Sequence, residues 1–361
     1  MKNVIQRGEE NRTKEKIETF RLMQRQDYQF KVAHAEEVAW RFFHHPEIRG
    51  RCYVAVGGLD SLTLLLFLRK IGIDVPAVSV SSLEDKSIQQ IHRQLGVQTL
   101  TPLKNKVQVI RQFGWPVLSK EIAGKISLLQ NPSTKNATVR HAIITGETGE
   151  YGGYRKNTRM KLSQKWLEKF GGYENETEGV CYGKPDFKAS DKCCYYLKEK
   201  PCSDYAKESG RFPFMGLMAS EGGRRQKALM INGCNYVSPG TKRSCPFAVF
   251  SRQDLLQLAL DLDVPTPEIY GEIVRDSDGA LRTTKAQRTG CSMCGFGVHM
   301  EKRPHRFDLL WQRNPKEWDF WMNHVDRLAD GAEYGWGHVL DYIGVEWRNP
   351  ERQFAEQLKL F

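Results

Sequence analysis

The spacing of apolar and polar positions changes period several times along this chain, and each change predicts an element. Residues 1–48 read as helical and mostly polar, with Val32, Ala35, Val38, Ala39 and Phe42 on one face turned to a main body. A short apolar strand is expected at 52–56, followed at once by Gly57-Gly58 and a leucine-rich helix over 61–71. VPAVSVSS at 75–82 reads as a second strand leading to a charged helix near Asp85, and VQTLTPL before Lys104 as a third. Strands alternating with helices predict an α/β fold with a parallel sheet. The core is expected to resume near Phe214 and again around Lys227–Asn232, followed by a helix from Arg252 to Leu262. Aromatic helices over 303–347 read as core rather than as a base-stacking platform.

Between these patterns, residues 131–190 turn rich in Gly, Lys, Asn and Thr, and read as an insertion with one helix near 161–170. The organisation expected is an N-terminal helical segment (1–48), a main domain (49–300) and a C-terminal helical segment (301–361). No apolar run approaches a membrane span, since LTLLLFL at 62–68 is too short. The charged N-terminus lacks the apolar stretch of a signal peptide, so a cytoplasmic protein without a membrane partner is expected. Lys and Arg number 54 against 43 Asp and Glu, a net charge of +11. That excess suits polyanions, nucleotides or nucleic acid, although solubility alone would also explain it.

The most specific local chemistry lies at Gly57-Gly58-Leu59-Asp60-Ser61. A glycine turn between strand and helix aims free N–H groups and a helix N-terminus outward, as a phosphate seat requires. Asp60 and Ser61 fall where N-cap and first-turn side chains belong, and both suit a metal–phosphate group. No Gly-Lys-Ser/Thr follows, so this is not a Walker loop. Ligands of parallel sheets bind beyond the strands' carboxyl ends, which places Ser81, Ser82 and Glu84 near the same site. Lys242 and Arg243 are candidates to close over phosphates, and Lys120 to neutralise charge.

Nine cysteines without a secretory context point to metal or redox chemistry. Cys193-Cys194 and Cys291-x-x-Cys294 supply four thiolates, suited to an iron–sulfur cluster or to structural zinc. Cys52, Cys181, Cys202, Cys234 and Cys245 have no such pairing; Cys52 reads as a small buried hydrophobe, and Cys202 or Cys245 as a possible sulfur relay.

The loop resembles the Ser-Gly-Gly-x-Asp-Ser signature of N-type ATP pyrophosphatases and phosphoadenosine phosphosulfate (PAPS) reductases, with Val56 in place of the leading serine. A Cys-Cys pair separated from CxxC by 97 positions resembles the cluster signature of adenylyl-sulfate-type reductases. Gly216 to Glu221 with Arg225 resembles the reductases' Gly-x-Arg-x-x-Glu-Ser stretch, with Met218 in place of the arginine. PFAVFSRQD (246–254) and Ile269-Tyr270-Gly271 resemble further pieces, so the likeness spans about residues 50–300. The resemblance implies a PP-loop (adenine nucleotide alpha hydrolase-like) core with helical appendages. It also implies a 4Fe–4S cluster on Cys193, Cys194, Cys291 and Cys294, with zinc as the alternative. Gly57, Gly58, Asp60 and Ser61 would hold phosphate, Asp60 would place Mg²⁺ with ATP, and Glu221 and Arg225 would lie near the nucleotide.

Within that family the favoured expectation is ATP-dependent, adenylating sulfur transfer to a nucleic acid or small acceptor, with a sulfur donor such as a cysteine desulfurase. The alternative is reduction of adenylyl sulfate or PAPS with an internal or partner thiol such as thioredoxin. The last cysteine is Cys294, so the C-terminal tail lacks the nucleophile of the usual reductase. A degenerate relative that binds nucleotide or nucleic acid without turnover is the non-enzymatic reading, and Val56 and Met218 speak for it.

Overall fold

The computed structural model describes residues 4–149, 158–172, 182–291 and 293–355; Cys181 and parts of the expected insertion lie outside them. The chain forms two compact units, Met1–Pro102 with Lys200–Ser292, and Leu103–Glu199 with Met293–Phe361.

The first unit is a mixed α/β body around a mostly parallel sheet. Its strands are β1 (Cys52–Ala55), β2 (Ala77–Ser79), β3 (Gln98–Thr99), β4 (Phe212–Met215), β5 (Asn235–Ser238) and β6 (Thr241–Ser244), in the order β3-β2-β1-β4-β6-β5. Only the β5–β6 pair is antiparallel. Central β1 is apolar without alternation, as a strand covered on both faces must be, and Cys52, Tyr53 and Val54 are buried. A separate hairpin pairs β7 (Ile273–Arg275) with β8 (Leu281–Thr283).

Two N-terminal helices, α1 (Val4–Gln24) and α2 (Tyr28–Phe43), precede the sheet. The expected face of α2 is buried at Ala35, Val38, Ala39 and Phe42, whereas Val32 is only partly covered. Phe42 meets Phe214 of β4 edge-on, with ring centroids 5.4 Å apart. Lys31 is also buried and reaches Asp254 at 2.9 Å. Asp254 closes a capping box with Ser251 at the start of the helix Arg252–Asp261.

Three expectations about elements need correction. The leucine-rich helix α3 (Leu59–Lys70) begins two residues early, with Gly58 as N-cap, so Asp60 sits in its first turn rather than at the cap. The second and third strands shorten to three and two residues, because the chain after β2 curls into a single 3-10 turn, Ser81–Leu83, ahead of α4 (Lys86–Gln94). Lys227–Asn232 belongs to the helix Gly223–Asn232, and the strand follows it. Lys, Ala, Leu and Met are strong helix formers, and Gly233 at φ +76° supplies the left-handed stop.

The second unit is mainly helical. Helices Lys120–Gln130, Gln164–Phe170, Arg306–Arg313 and Trp336–Ile343 contribute to a core that includes Trp115, Phe170, Phe307 and Trp336. Trp115 and Trp336 meet edge-on at 4.8 Å. The aromatic residues after 303 are therefore largely core, as the sequence implied. No helix among the described residues is long and apolar enough to cross a membrane.

Candidate functional site

The turn from β1 into α3 stands at the carboxyl edge of the sheet, where parallel strands present ligands. Val56 continues the strand, donating its N–H to Val78 at 2.8 Å, and is buried, so it supplies no hydroxyl at the head of the loop. Ser61 folds the turn on itself: its Oγ accepts from Gly57 N–H at 2.7 Å and donates to the Gly58 carbonyl at 2.9 Å. The same carbonyl accepts from Ser61 and Leu62 N–H at 3.2 and 3.1 Å. Leu59 N–H donates to the Tyr270 hydroxyl at 3.2 Å. Gly58 and Asp60 N–H have no acceptor among the described residues. Two first-turn donors are thus left at a helix N-terminus, the arrangement that attracts an anion.

Charged side chains surround these donors. Asp60 Oδ1 accepts from Arg252 at 2.5 Å, and Arg252 also donates to the Gln287 carbonyl at 3.0 Å. Burial pushes the Asp60 carboxyl above its ordinary range; Arg252 opposes that shift by charge and hydrogen bond, Glu221 adds to it, and Arg288 opposes it. Glu221, its side chain 7% exposed, pairs with Arg225 at 2.5 Å and lies 3.9 Å from Arg288. Two carboxylates and three guanidinium groups therefore share this side of the loop. Gly216, just after β4, completes the fit, since a Cβ there would come within 3.0 Å of the Asp60 carbonyl.

The other side is built by the 3-10 turn and α4. His92 is buried with Ile88 on one face of α4. Its Nε2 lies 2.8 Å from the Gly57 carbonyl and so donates to it, which leaves Nδ1 to accept from Ser81 Oγ at 2.9 Å. Glu84 is buried, with Oε1 3.7 Å from the place a Cβ on Gly57 would take. Ser82 is exposed. Ser81 and Glu84 thus lie beside the loop.

Other expected residues are placed elsewhere. The register aligns Cys52 with Phe212 and Phe214 with Ser244, so Lys242 lies level with the amino end of β1, opposite the loop. There it pairs with Glu47 at 2.9 Å and covers the Phe212 ring, while Arg243 lies over Tyr236. Neither closes over the turn. Met218 is buried, so the arginine position of the resembled stretch points into the core. Lys120 belongs to the second unit and is paired with Glu199.

Cys193 and Cys194 end the short helix Lys192–Cys194 in the second unit, which also holds Cys294, whereas Cys291 belongs to the first. Among the described residues no group of three or more His, Cys, Asp or Glu side chains is placed to hold a metal ion. Asp60 Oδ1 is engaged by Arg252. Cys52 is buried, its thiol pushed up to about 12 by burial, as expected of a core residue. Burial pushes Cys245 to about 12 as well, which disfavours a thiolate relay there.

Sequence reasoning did not find Arg252 or His92. The Ser251–Asp254 capping box marked Arg252 as a first-turn residue, but its reach to Asp60 is long-range packing. His92, four positions after Ile88 on one helical face, carried a periodicity signal that could have found it.

No protein-family model matches this chain, and no curated protein matches it. Among solved structures it is similar to the crystal structure of phosphoadenylyl-sulfate (PAPS) reductase from Candida auris in a phosphate complex. That likeness covers 68% of this chain and 89% of the other, at 12% identity and a TM-score of 0.33.

Proposed function

We propose that the first unit binds the anionic end of an adenosine nucleotide on the Gly57–Ser61 turn, as part of an enzyme of nucleotide-dependent sulfur chemistry. One observation carries the binding reading: Gly58 and Asp60 N–H have no acceptor among the described residues, and the Asp60 side chain beside them is engaged by Arg252 and feels the charge of Arg288. Amides and guanidinium groups together suit phosphate or sulfate oxygens. The sulfur chemistry rests on the resemblance of the loop and the spaced cysteines.

The Arg252–Asp60 pair favours a sulfonucleotide over Mg²⁺–ATP, because guanidinium groups fill the role a metal would take. A thiolate from a partner protein would attack the sulfonate sulfur, forming an S–S bond and breaking the S–O bond, with the nucleotide phosphate leaving toward the arginines. Adenylating sulfur transfer to a nucleic acid or small acceptor is the competing reading. A 4Fe–4S cluster at the four cysteines stays a proposal from sequence alone, and no step runs through it.

The test is anaerobic purification followed by thermal-shift and calorimetric titration with adenylyl sulfate, PAPS and ATP, with and without Mg²⁺. Stabilisation by a sulfonucleotide without metal, and sulfite release with thioredoxin, is expected. Pyrophosphate release from Mg²⁺–ATP would displace this reading in favour of adenylation. Binding without any turnover would reduce the protein to a nucleotide-binding relative, and no binding at all would end the proposal.

A further inference from the structure

We propose that Tyr270 is a resident ligand of the loop, and that it restricts the seat to one terminal tetrahedral group, a phosphate or sulfate, rather than the paired phosphates of a pyrophosphate. This rests on the reading of the turn as an anion seat. The phenol oxygen takes the Leu59 N–H at 3.2 Å, a donor that an open turn of this shape would give to a second anionic group. Gly57, Ser61 and Leu62 N–H are consumed within the turn, so among the described residues Gly58 and Asp60 N–H remain without an acceptor. Two neighbouring amides flanked by guanidinium groups match the oxygens of one tetrahedral group.

The phenol is fixed in place. Tyr270 is buried, and its hydroxyl is 2.7 Å from Thr289 Oγ1. Its carbonyl accepts from Lys285 N–H at 3.0 Å, and the next residue, Gly271, holds φ +70°. Burial pushes the phenol pKa up; the hydrogen bonds with Thr289 and the Leu59 N–H oppose that, the Asp60 and Glu84 carboxylates add to it, and the net rise keeps a neutral hydroxyl. The glycine opposite is matched to it. Gly58 has φ −83°, open to any residue, yet a Cβ there would fall 2.1 Å from the Tyr270 oxygen, 3.1 Å from Thr289 Oγ1 and 3.4 Å from Tyr270 Cζ. Glycine is needed at this position for the hydroxyl and not for the backbone.

The experiment measures the affinity of the full chain for inorganic phosphate, sulfate and pyrophosphate, and for AMP and ADP, by calorimetry. Tyr270→Phe returns the Leu59 N–H to the seat and should shift the pyrophosphate-to-phosphate affinity ratio about tenfold toward pyrophosphate. Thr289→Ala, which loosens the phenol, should move the ratio the same way by less. Gly58→Ala should abolish anion binding beside Tyr270 and recover part of it in the Gly58→Ala, Tyr270→Phe double variant. A ratio unchanged within about twofold in Tyr270→Phe and Thr289→Ala proteins of native circular dichroism overturns the inference, while leaving the seat itself intact. If the unaltered protein binds none of these anions, the seat fails and the inference with it.

Discussion

At the scale of single residues, the site is a balance between one half-buried carboxylate, Asp60, and the guanidinium that neutralises it. Arg252→Gln removes a charge-assisted bond to Asp60 and a cation beside the two free amides. Anion affinity should fall about tenfold or more, since bonds to charged groups are worth about 1.5–3 kcal/mol, and calorimetry with adenylyl sulfate checks it. His92→Phe conserves bulk but leaves the Gly57 carbonyl and Ser81 hydroxyl without their shared partner. It should weaken nucleotide binding about tenfold and lower the melting temperature, an outcome read by thermal shift with and without ligand. The turn itself was legible, because two glycines between an apolar run and a leucine-rich run have few other uses. Its partners were not: Arg252 stands 192 positions from Asp60, and only the folded sheet brings them together. Lys242 and Arg243 show the converse, since basic residues near a phosphate motif in sequence can lie at the far end of the strands.

At the scale of elements, helix and strand identities followed period and propensity wherever a segment was long. They failed at Lys227–Asn232, where a short apolar run suited either state and Gly233 decided it. The docking of α2 depends on a pair that periodicity does not reveal, Lys31 with Asp254. Lys31→Met should destabilise the first unit by about 3–5 kcal/mol, because Asp254 keeps a largely buried charge without its partner; urea unfolding measures it. In the second unit, Asp308 is fully buried beside Arg303 and His305. Burial alone would raise its pKa, but hydrogen bonds from His305 and Arg303 outweigh that and hold it below the ordinary carboxylate value. Its contribution is complete above the unfolded carboxyl's pKa, about 4, and is lost as pH falls through the lower folded value. Stability of the native protein should therefore drop on acidification below about pH 4 more steeply than that of Asp308→Asn, followed by circular dichroism.

At the scale of the molecule, the cation excess and the cysteine spacing frame one question that analysis of the purified protein answers. If the four cysteines carry a cluster, anaerobically prepared protein should contain about four iron and four sulfide per chain, and Cys193→Ser should lose them. Protein holding neither iron, sulfide nor zinc removes the cluster from the account. The division into two units, each assembled from separated stretches of chain, was not legible, because residues 103–199 and 293–361 pair by packing rather than by order.

The first forty-odd residues carry a practical consequence. A minimal version cut at the boundary that a motif-based reading suggests, starting at residue 49, would strip Phe42 from Phe214 and uncover the core residues that Phe20, Ala35, Ala39 and Phe42 pack with. Such a fragment should precipitate on expression, so an affinity tag belongs ahead of α1 or after the last helix, with the leading pair of helices kept whole.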